Sequence, residues 1–278
     1  MMILLRAANR HRPATAANQN ALSWLQRYNI IASSSSRTLH IQRNEAKTAI
    51  NQTQYNASSL FDSRGFHLNF DTLHEMTHNA TLLYNDNPLF GSFHQDSTFH
   101  WMTYSDFGHK VRQCRSLLLN LGVTPYSKVA IISNNRVEWA VIAAATYSIN
   151  AALVPMYEAQ LPKDWTYILN DSECRVLFCS TEEIYLKVKK EVMANAPLVS
   201  DVLCLDAHDV QPNSFHGAMS RMEETSNKVV EPPMPDDLAN LIYTSGTTGK
   251  PKGVELVHSN QVCYLKHLRT ESELVDKM

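Results

Sequence analysis

KVAIISNNRVEWAVIAAATYSINAALVPMYEAQLPKDWTYILNDSECRVLFCS, residues 128–180, is the stretch that decides the fold class. Val129-Ala130-Ile131-Ile132 is a short apolar run bounded by the turn residues Asn134-Asn135, which reads as a buried strand. A helix is expected from about Val137 to Ile149, a second apolar piece from Ala151 to Pro155, a helix from Leu161 to Asn170, and a strand from Arg175 to Cys179. Strands alternating with helices require crossover connections and therefore a largely parallel sheet. Such a sheet must be covered on both faces, and its strands are continuously apolar rather than alternating, as they are here. The expectation is an α/β fold with a partly parallel sheet and helices on both faces.

Outward from this stretch the alternation continues. Upstream, Thr103-Tyr104-Ser105-Asp106 resembles a capping box, and Phe107, Val111, Cys114, Leu118 and Leu121 form one helical stripe ended by Gly122, so a helix is expected over roughly 104–121. Downstream, a helix is expected over Thr181–Asn195 and a strand over Val202–Leu205. Residues 206–237 are polar and punctuated by Pro212, Pro232, Pro233 and Pro235, which predicts a connection across the surface. Leu238 to Tyr243 reads as another strand.

That last strand runs into Thr244-Ser245-Gly246-Thr247-Thr248-Gly249-Lys250-Pro251-Lys252-Gly253. Hydroxyls, glycines and lysines concentrated directly after a strand suit a polyphosphate: glycine lets backbone N–H groups approach oxygens closely, hydroxyls add donors that can also face a metal ion, and lysine adds a compact positive charge. The Walker spacing fails, because Gly246 and Gly249 are three apart and Lys250 is followed by proline; no GxG occurs, so the dinucleotide fingerprint is absent too. On composition alone, a Ser/Thr/Gly-rich hairpin or linker without chemistry is an equal reading.

The string YTSGTTGKPKG, residues 243–253, closely resembles the AMP-binding signature of the adenylate-forming superfamily, and of its long-chain fatty acyl-CoA synthetase branch in particular. The segments TYSDF, LLNLGV, KVAIISNNRVEW, ALVPMYEAQLP and YILNDSECRVLFCS occur upstream in the family's order, and GVELVHSN follows the loop. The resemblance covers roughly residues 70–278. It implies an ATP-dependent fatty acid–CoA ligase acting through an acyl-adenylate, with ATP, Mg²⁺ and coenzyme A as its small molecules and a possible peripheral membrane association. It implies that Thr244 helps hold magnesium, that Ser245, Thr247, Thr248, Lys250 and Lys252 wrap the β- and γ-phosphates with Gly246, Gly249 and Gly253 in the same loop, and that Thr244 and Lys252 serve catalysis. Pro125-Tyr126-Ser127 stands where the family commonly has Gly-Asp, Asn150 where it commonly has glycine, and Glu255 at a usually apolar place.

Family segments for the adenine, the ribose, a magnesium-binding glutamate and a catalytic lysine have no counterpart before Met278. The expectation is therefore a partial N-terminal AMP-binding domain over 60–278, without the C-terminal domain, inactive and poorly soluble alone. The alternative is a non-catalytic truncated chain or pseudoenzyme that retains the half-site. A remote alternative is a zinc peptidase, since His74-Glu75-Met76-Thr77-His78 matches HExxH. Against it, no further motif ligand follows, and Thr72-Leu73-His74-Glu75 falls where the family carries its leading helix.

Composition narrows the rest. The 278 residues are 44% hydrophobic and 19% charged with net charge −2, as in globular proteins. Residues 1–44 hold six arginines and no acid, leaving 19 basic against 27 acidic residues in the remainder. An acidic body without a basic stripe argues against nucleic-acid partners. The arginine-rich, acid-free start, with the run Ser33–Ser36, predicts an organellar transit peptide within about residues 1–55, or else a disordered basic tail, with the mitochondrion or another organelle as first expectation and the cytoplasm or a membrane surface as alternatives. No stretch is long and apolar enough to span a membrane. Five cysteines without a CxxC pair fit a reducing compartment. Cys174 and Cys179, an odd number of residues apart about one strand, are expected on opposite faces.

Overall fold

The computed structural model describes residues 69–93, 98–222, 230–245 and 250–275. These divide into two compact units, one holding residues 78–104 and the other residues 71–77 with everything from Ser105 onward. The expected transit segment lies outside the described residues. No helix among the described residues is long and apolar enough to cross a membrane.

The smaller unit is built on an antiparallel hairpin that the sequence reading did not anticipate. Strand β1 (Pro88–Phe93) pairs with β2 (Phe99–Thr103) in the register Gly91↔Trp101 and Phe93↔Phe99. The Trp101 ring lies over Gly91, where a Cβ would stand 3.0 Å from it. Helix α1 (Leu73–Leu83), whose first turn belongs to the larger unit, opens on Thr72, whose hydroxyl accepts from the Glu75 N–H at 3.1 Å, while the Glu75 carboxylate accepts from the N–H groups of Thr72 at 3.3 Å and Asp71 at 2.7 Å. This reciprocal arrangement is a capping box.

The larger unit holds a six-stranded sheet. Its strands in chain order are β3 (Lys128–Ile132), β4 (Ala152–Met156), β5 (Val176–Cys179), β6 (Asp201–Cys204), β7 (Leu238–Thr244) and β8 (Lys252–Val257). Their spatial order is β6-β5-β3-β4-β7-β8, with every pair parallel except β7–β8. Val129, Ala130, Ile131 and Ile132 are all fully buried, as expected of a central strand covered on both faces.

Helix α2 (Tyr104–Asn120) leads into the sheet. It ends as the sequence predicts: Gly122 takes φ +82°, its N–H donates to the Leu119 carbonyl, and the Val123 N–H donates to that of Leu118. Those two bonds are the Schellman closure that a left-handed glycine permits. Helix α3 (Val137–Tyr147) covers one sheet face, where Tyr147 donates to Asn240 Oδ1 at 3.0 Å. Helices α4 (Pro162–Asp171) and α5 (Glu182–Glu191) cover the other, packing Trp165, Ile168, Leu169 and Val188 against Ala130, Ile132, Val154, Leu177, Cys179 and Leu241. Thr181 caps α5 by accepting from the Ile184 N–H, and a 3₁₀ turn at Met193–Asn195 completes the helix expected to run to Asn195.

Two expectations need correction. Residues 206–237 are more than a surface connection, because they contain helix α6 (Phe215–Ser220), capped by Ser214, whose Phe215 is fully buried edge-on against Phe178 at 5.6 Å. Cys174 and Cys179 share one buried cluster; Cys174 precedes the strand, so strand alternation does not apply to it. Where the family commonly has glycine, the backbone keeps a glycine-like conformation although the residue type differs: Tyr126 and Asn150 sit at positive φ, +65° and +57°. Left-handed backbone costs an L-residue about 1–2 kcal/mol, less for asparagine than for tyrosine. Tyr126→Gly is therefore expected to raise stability by about 0.5–1 kcal/mol in urea denaturation, opposite in sign to glycine's usual effect.

Candidate functional site

Parallel sheets bind ligands beyond the carboxyl ends of their strands, where neighbouring strands send their connections in opposite directions. The strand order produces two such points. The chain leaves β5 for β6 and β3 for β4, so connections diverge between β5 and β3; it leaves β4 for β5 and β7 for β8, so they diverge again between β4 and β7.

The first divergence is bridged by charge. Arg136, at the N-cap of α3, donates through Nε to Glu138 at 2.8 Å and through one terminal nitrogen to Asp206 at 2.8 Å and the Ser180 carbonyl at 3.2 Å. His216 Nε2 lies 3.3 Å from the other Glu138 oxygen. One guanidinium thus ties together the segments that follow β3, β5 and β6. Burial disfavours ionised Glu138, but the bonds from His216 and Arg136 outweigh it and hold the carboxyl well below its ordinary range. A depressed folded pKa means that the unfolded chain binds the proton more readily. The contribution is therefore full above the ordinary carboxylate value of 4.5 and is lost as pH falls below it toward the folded pKa. Urea midpoints of Glu138→Gln are expected to converge on those of the parent chain as pH is lowered from 6 to 3.

The second divergence carries the expected phosphate loop. Leu153 and Asn240 pair across β4 and β7, and four residues further along each strand lie Tyr157 and Thr244. Thr244, the last residue of β7, pairs with Lys252, the first of β8, and Tyr243 pairs with Gly253. The two strands are therefore an antiparallel pair, and the described residues of the expected phosphate loop, Thr244, Ser245 and Lys250 to Gly253, lie where that pair ends. Thr244, Ser245, Lys250, Lys252 and Gly253 are exposed; Gly246, Thr247, Thr248 and Gly249 lie outside the described residues. The described part of the bend keeps its hydroxyls and ammonium groups open to solvent. Beside it, Glu158 accepts from the Asn134 N–H at 2.9 Å and from Asn134 Nδ2 at 2.6 Å, joining the segments after β3 and β4. Asn134 was expected only as a turn or cap residue.

The root of the hairpin is anchored from below. The Tyr243 hydroxyl donates to Asp171 Oδ2 at 2.5 Å, and the Tyr167 hydroxyl donates to Asp171 Oδ1 at 3.4 Å. Burial, followed by that bond to Asp171, pushes the Tyr243 phenol well above its ordinary value, so it remains a donor. Sequence reading missed this anchor because Asp171 and Tyr243 stand 72 residues apart; within YTSGTTGKPKG the tyrosine reads as one more strand residue.

The remaining candidates fall elsewhere. His258 begins helix α7 (His258–Val275), with Asn260 accepting from the Val257 N–H at 3.1 Å. The ring is buried: Nδ1 accepts from the Leu73 N–H at 3.2 Å and the Tyr147 ring meets it edge-on at 5.5 Å. Burial, only partly offset by Asp237, lowers its pKa from 6.5 to about 4. Between those values the unfolded chain binds the proton and the folded chain does not, so stability is full above pH 6.5 and declines as pH falls toward 4. His258→Asn is expected to flatten the dependence of the urea midpoint on pH between 4 and 6.5. Within HExxH, the Glu75 carboxylate is engaged in the cap of α1. Among the described residues no three His, Cys, Asp or Glu side chains gather into a metal-holding set. For Mg²⁺ the proposed site residues described here offer the exposed Thr244 hydroxyl. Magnesium takes its oxygens largely from water and substrate phosphates, so that one hydroxyl fits an ion arriving with a triphosphate.

Residues 78–277 match the family described as AMP-binding enzyme. Fatty acyl-CoA synthetase B of Dictyostelium discoideum is 29% identical over 206 residues, which are 68% of this chain and 30% of that protein. Long-chain-fatty-acid–CoA ligase 1 of Homo sapiens is 29% identical over 212 residues, 71% of this chain and 30% of that protein. The chain thus spans about 30% of the length of the curated relatives it matches. Among solved structures, the anthranilate CoA ligase AuaEII in complex with anthranoyl-AMP superposes with a TM-score of 0.59 at 21% identity, covering 68% of this chain and 35% of that one. The Mycobacterium tuberculosis fatty acyl CoA synthetase does so with 0.56 at 21% identity over the same shares. At these identities the structures speak for the fold, an N-terminal part of the adenylate-forming architecture.

Proposed function

Because the chain belongs to the AMP-binding enzyme family, we propose that it serves the ATP-dependent activation of a fatty acid, with residues 244–253 gripping the triphosphate tail. In that reaction the fatty carboxylate attacks the α-phosphorus of ATP and pyrophosphate leaves; the thiol of coenzyme A then attacks the acyl carbon of the resulting adenylate, forming the thioester and releasing AMP and the thiol proton. A carboxylate is already ionised near neutral pH, so no general base is required of the chain. Its task is to position the triphosphate and to neutralise the charge that accumulates on pyrophosphate. Ser245, Thr247, Thr248, Lys250 and Lys252 take the β- and γ-phosphates, and Gly246, Gly249 and Gly253 keep the backbone close. Thr244 faces Mg²⁺, which when bound supplies further neutralisation of the same charge. Lys252 and Thr244, paired across the hairpin, are the two groups assigned to catalysis.

The observation that carries this reading is the exposure of Thr244, Ser245, Lys250 and Lys252 where the connections of β4 and β7 diverge. The choice of a long acyl chain rests on the relatives named for long-chain fatty acids. The arginine-rich, acid-free residues 1–44 support delivery to the mitochondrion, and a membrane-partitioning substrate supports peripheral association with a bilayer.

The experiment is pyrophosphate release from ATP and Mg²⁺ with palmitate, octanoate or benzoate, run beside equilibrium binding of ATP. Release that depends on palmitate supports the ligase. Binding without release favours the second reading, a chain that retains the half-site without turnover. Absence of ATP binding contradicts both.

A further inference from the structure

Asp171 is absent from the phosphate motif, yet it holds the motif's first residue. Its carboxylate ends α4 and accepts one phenol on each oxygen, Tyr243 at 2.5 Å and Tyr167 at 3.4 Å, while the two rings meet edge-on with centroids 6.5 Å apart. Tyr243 itself is 5% exposed and packs with Leu241 in the core cluster beneath the sheet. On the partner strand, Gly253 faces it: a Cβ there would stand 3.1 Å from Leu241 Cδ1, 3.3 Å from Tyr243 Cζ and 3.4 Å from its hydroxyl. The phenol therefore occupies space that the missing side chain of Gly253 leaves open, and both strands at the hairpin's root are set against the same ring.

We infer that Asp171 is a positioning residue for the phosphate loop, acting through Tyr243 to fix the root from which residues 244–252 project. The two partners come from separate βα units, so the bond couples the end of α4 to the adjoining ends of β7 and β8. With Tyr243 pinned, the next residue, Thr244, has its direction set by strand alternation, and Lys252 is carried opposite it. Without the bond, the hairpin's base opens more often while the rest of the sheet stays intact. The inference rests on the phosphate reading only for the loop's purpose; the anchoring itself is separable from it.

Trypsin reports on the anchor directly, since Lys252–Gly253 is a cleavable bond at the root whereas Lys250–Pro251 resists the enzyme. The appearance rate of the fragment beginning at Gly253 is measured on the full chain. Asp171→Ala and Tyr243→Phe are each expected to raise that rate about tenfold, the effect of losing one hydrogen bond to a charged group. The double variant should be no faster than either single one, and Asp171→Asn, which keeps an acceptor, should stay near the parent rate. Should Asp171→Ala fail to fold, Tyr243→Phe and Asp171→Asn still decide. Parent-like cleavage in Tyr243→Phe, or effects of Asp171→Ala and Tyr243→Phe that multiply in the double variant, would overturn the inference. Inorganic tripolyphosphate with Mg²⁺ should slow the same cut in the parent chain; failure of that arm strikes the phosphate reading alone, while the unliganded rates still judge Asp171.

Discussion

Replacing Lys250 and Lys252 together with alanine is expected to weaken MgATP binding about a hundredfold while leaving the urea midpoint unchanged. Each charge-assisted contact to a phosphate oxygen contributes about 1.5–3 kcal/mol, and tenfold in affinity corresponds to about 1.4 kcal/mol. Both side chains are exposed at the open end of the β7–β8 hairpin, so neither supports the core and the loss should appear in affinity alone. Lysine acts here as a point charge on a flexible stem, hence arginine at either position should retain part of the binding. Raising the salt should shrink the difference between parent and variant, because exposed charges are screened. Equal affinities by calorimetry at low salt would contradict the assignment of these two residues.

The largest effect on stability is expected at Trp165. It is fully buried, its Nε1 donates to the Tyr157 carbonyl at 3.0 Å, and it lies in the cluster that joins α4 and α5 to the sheet. Truncation to alanine removes the ring, leaves a cavity and orphans that carbonyl. Large-to-small changes of this kind cost about 3–5 kcal/mol, a large fraction of the 5–15 kcal/mol typical of a whole protein. Trp165→Phe, which keeps most of the volume and loses the donor, should cost less. Tyr157 directly follows β4, so the Trp165 bond also ties α4 to the carboxyl end of that strand. A Trp165→Ala chain with an unfolding free energy within 1 kcal/mol of the parent would show that the two sheet faces are packed otherwise.

How legible all this was in the sequence depended on whether the determining contacts are local. Strands β3 to β5 and helices α2 to α5 could be read because continuous apolar runs alternate with helical stripes, and because Gly122, Thr181 and Pro162 mark helix ends by rules that need only neighbouring residues. The β1–β2 hairpin could not. Its Phe93, Phe99 and Trp101 are exposed, so no buried face imposes an alternating pattern. Helix α6 escaped for a related reason: it is one and a half turns long, its flanks are polar, and only Phe215 against Phe178 shows why it forms. The glycine-to-Asn150 and glycine-to-Tyr126 departures were visible as departures, but their left-handed backbone was not.

The candidate site was legible as chemistry and illegible as placement. Hydroxyls, glycines and lysines in YTSGTTGKPKG suit a polyphosphate by type, and on composition alone they suit a loop without chemistry equally well. That they lie on a hairpin at the β4–β7 divergence follows from strand order, which no local pattern encodes. Nor does any local pattern encode Asp171 beneath Tyr243, Glu158 against Asn134, or the Arg136 bridge to Asp206.

Hydrogen exchange of peptides covering 238–257, followed with and without saturating MgATP, tests the central claim most directly. Slowed exchange is expected, concentrated at residues 244–253, with the strand interiors on either side little changed and AMP, which lacks the β- and γ-phosphates, giving no such protection. Exchange at 244–253 indifferent to MgATP, or protection appearing instead around Arg136 and Asp206, would contradict it.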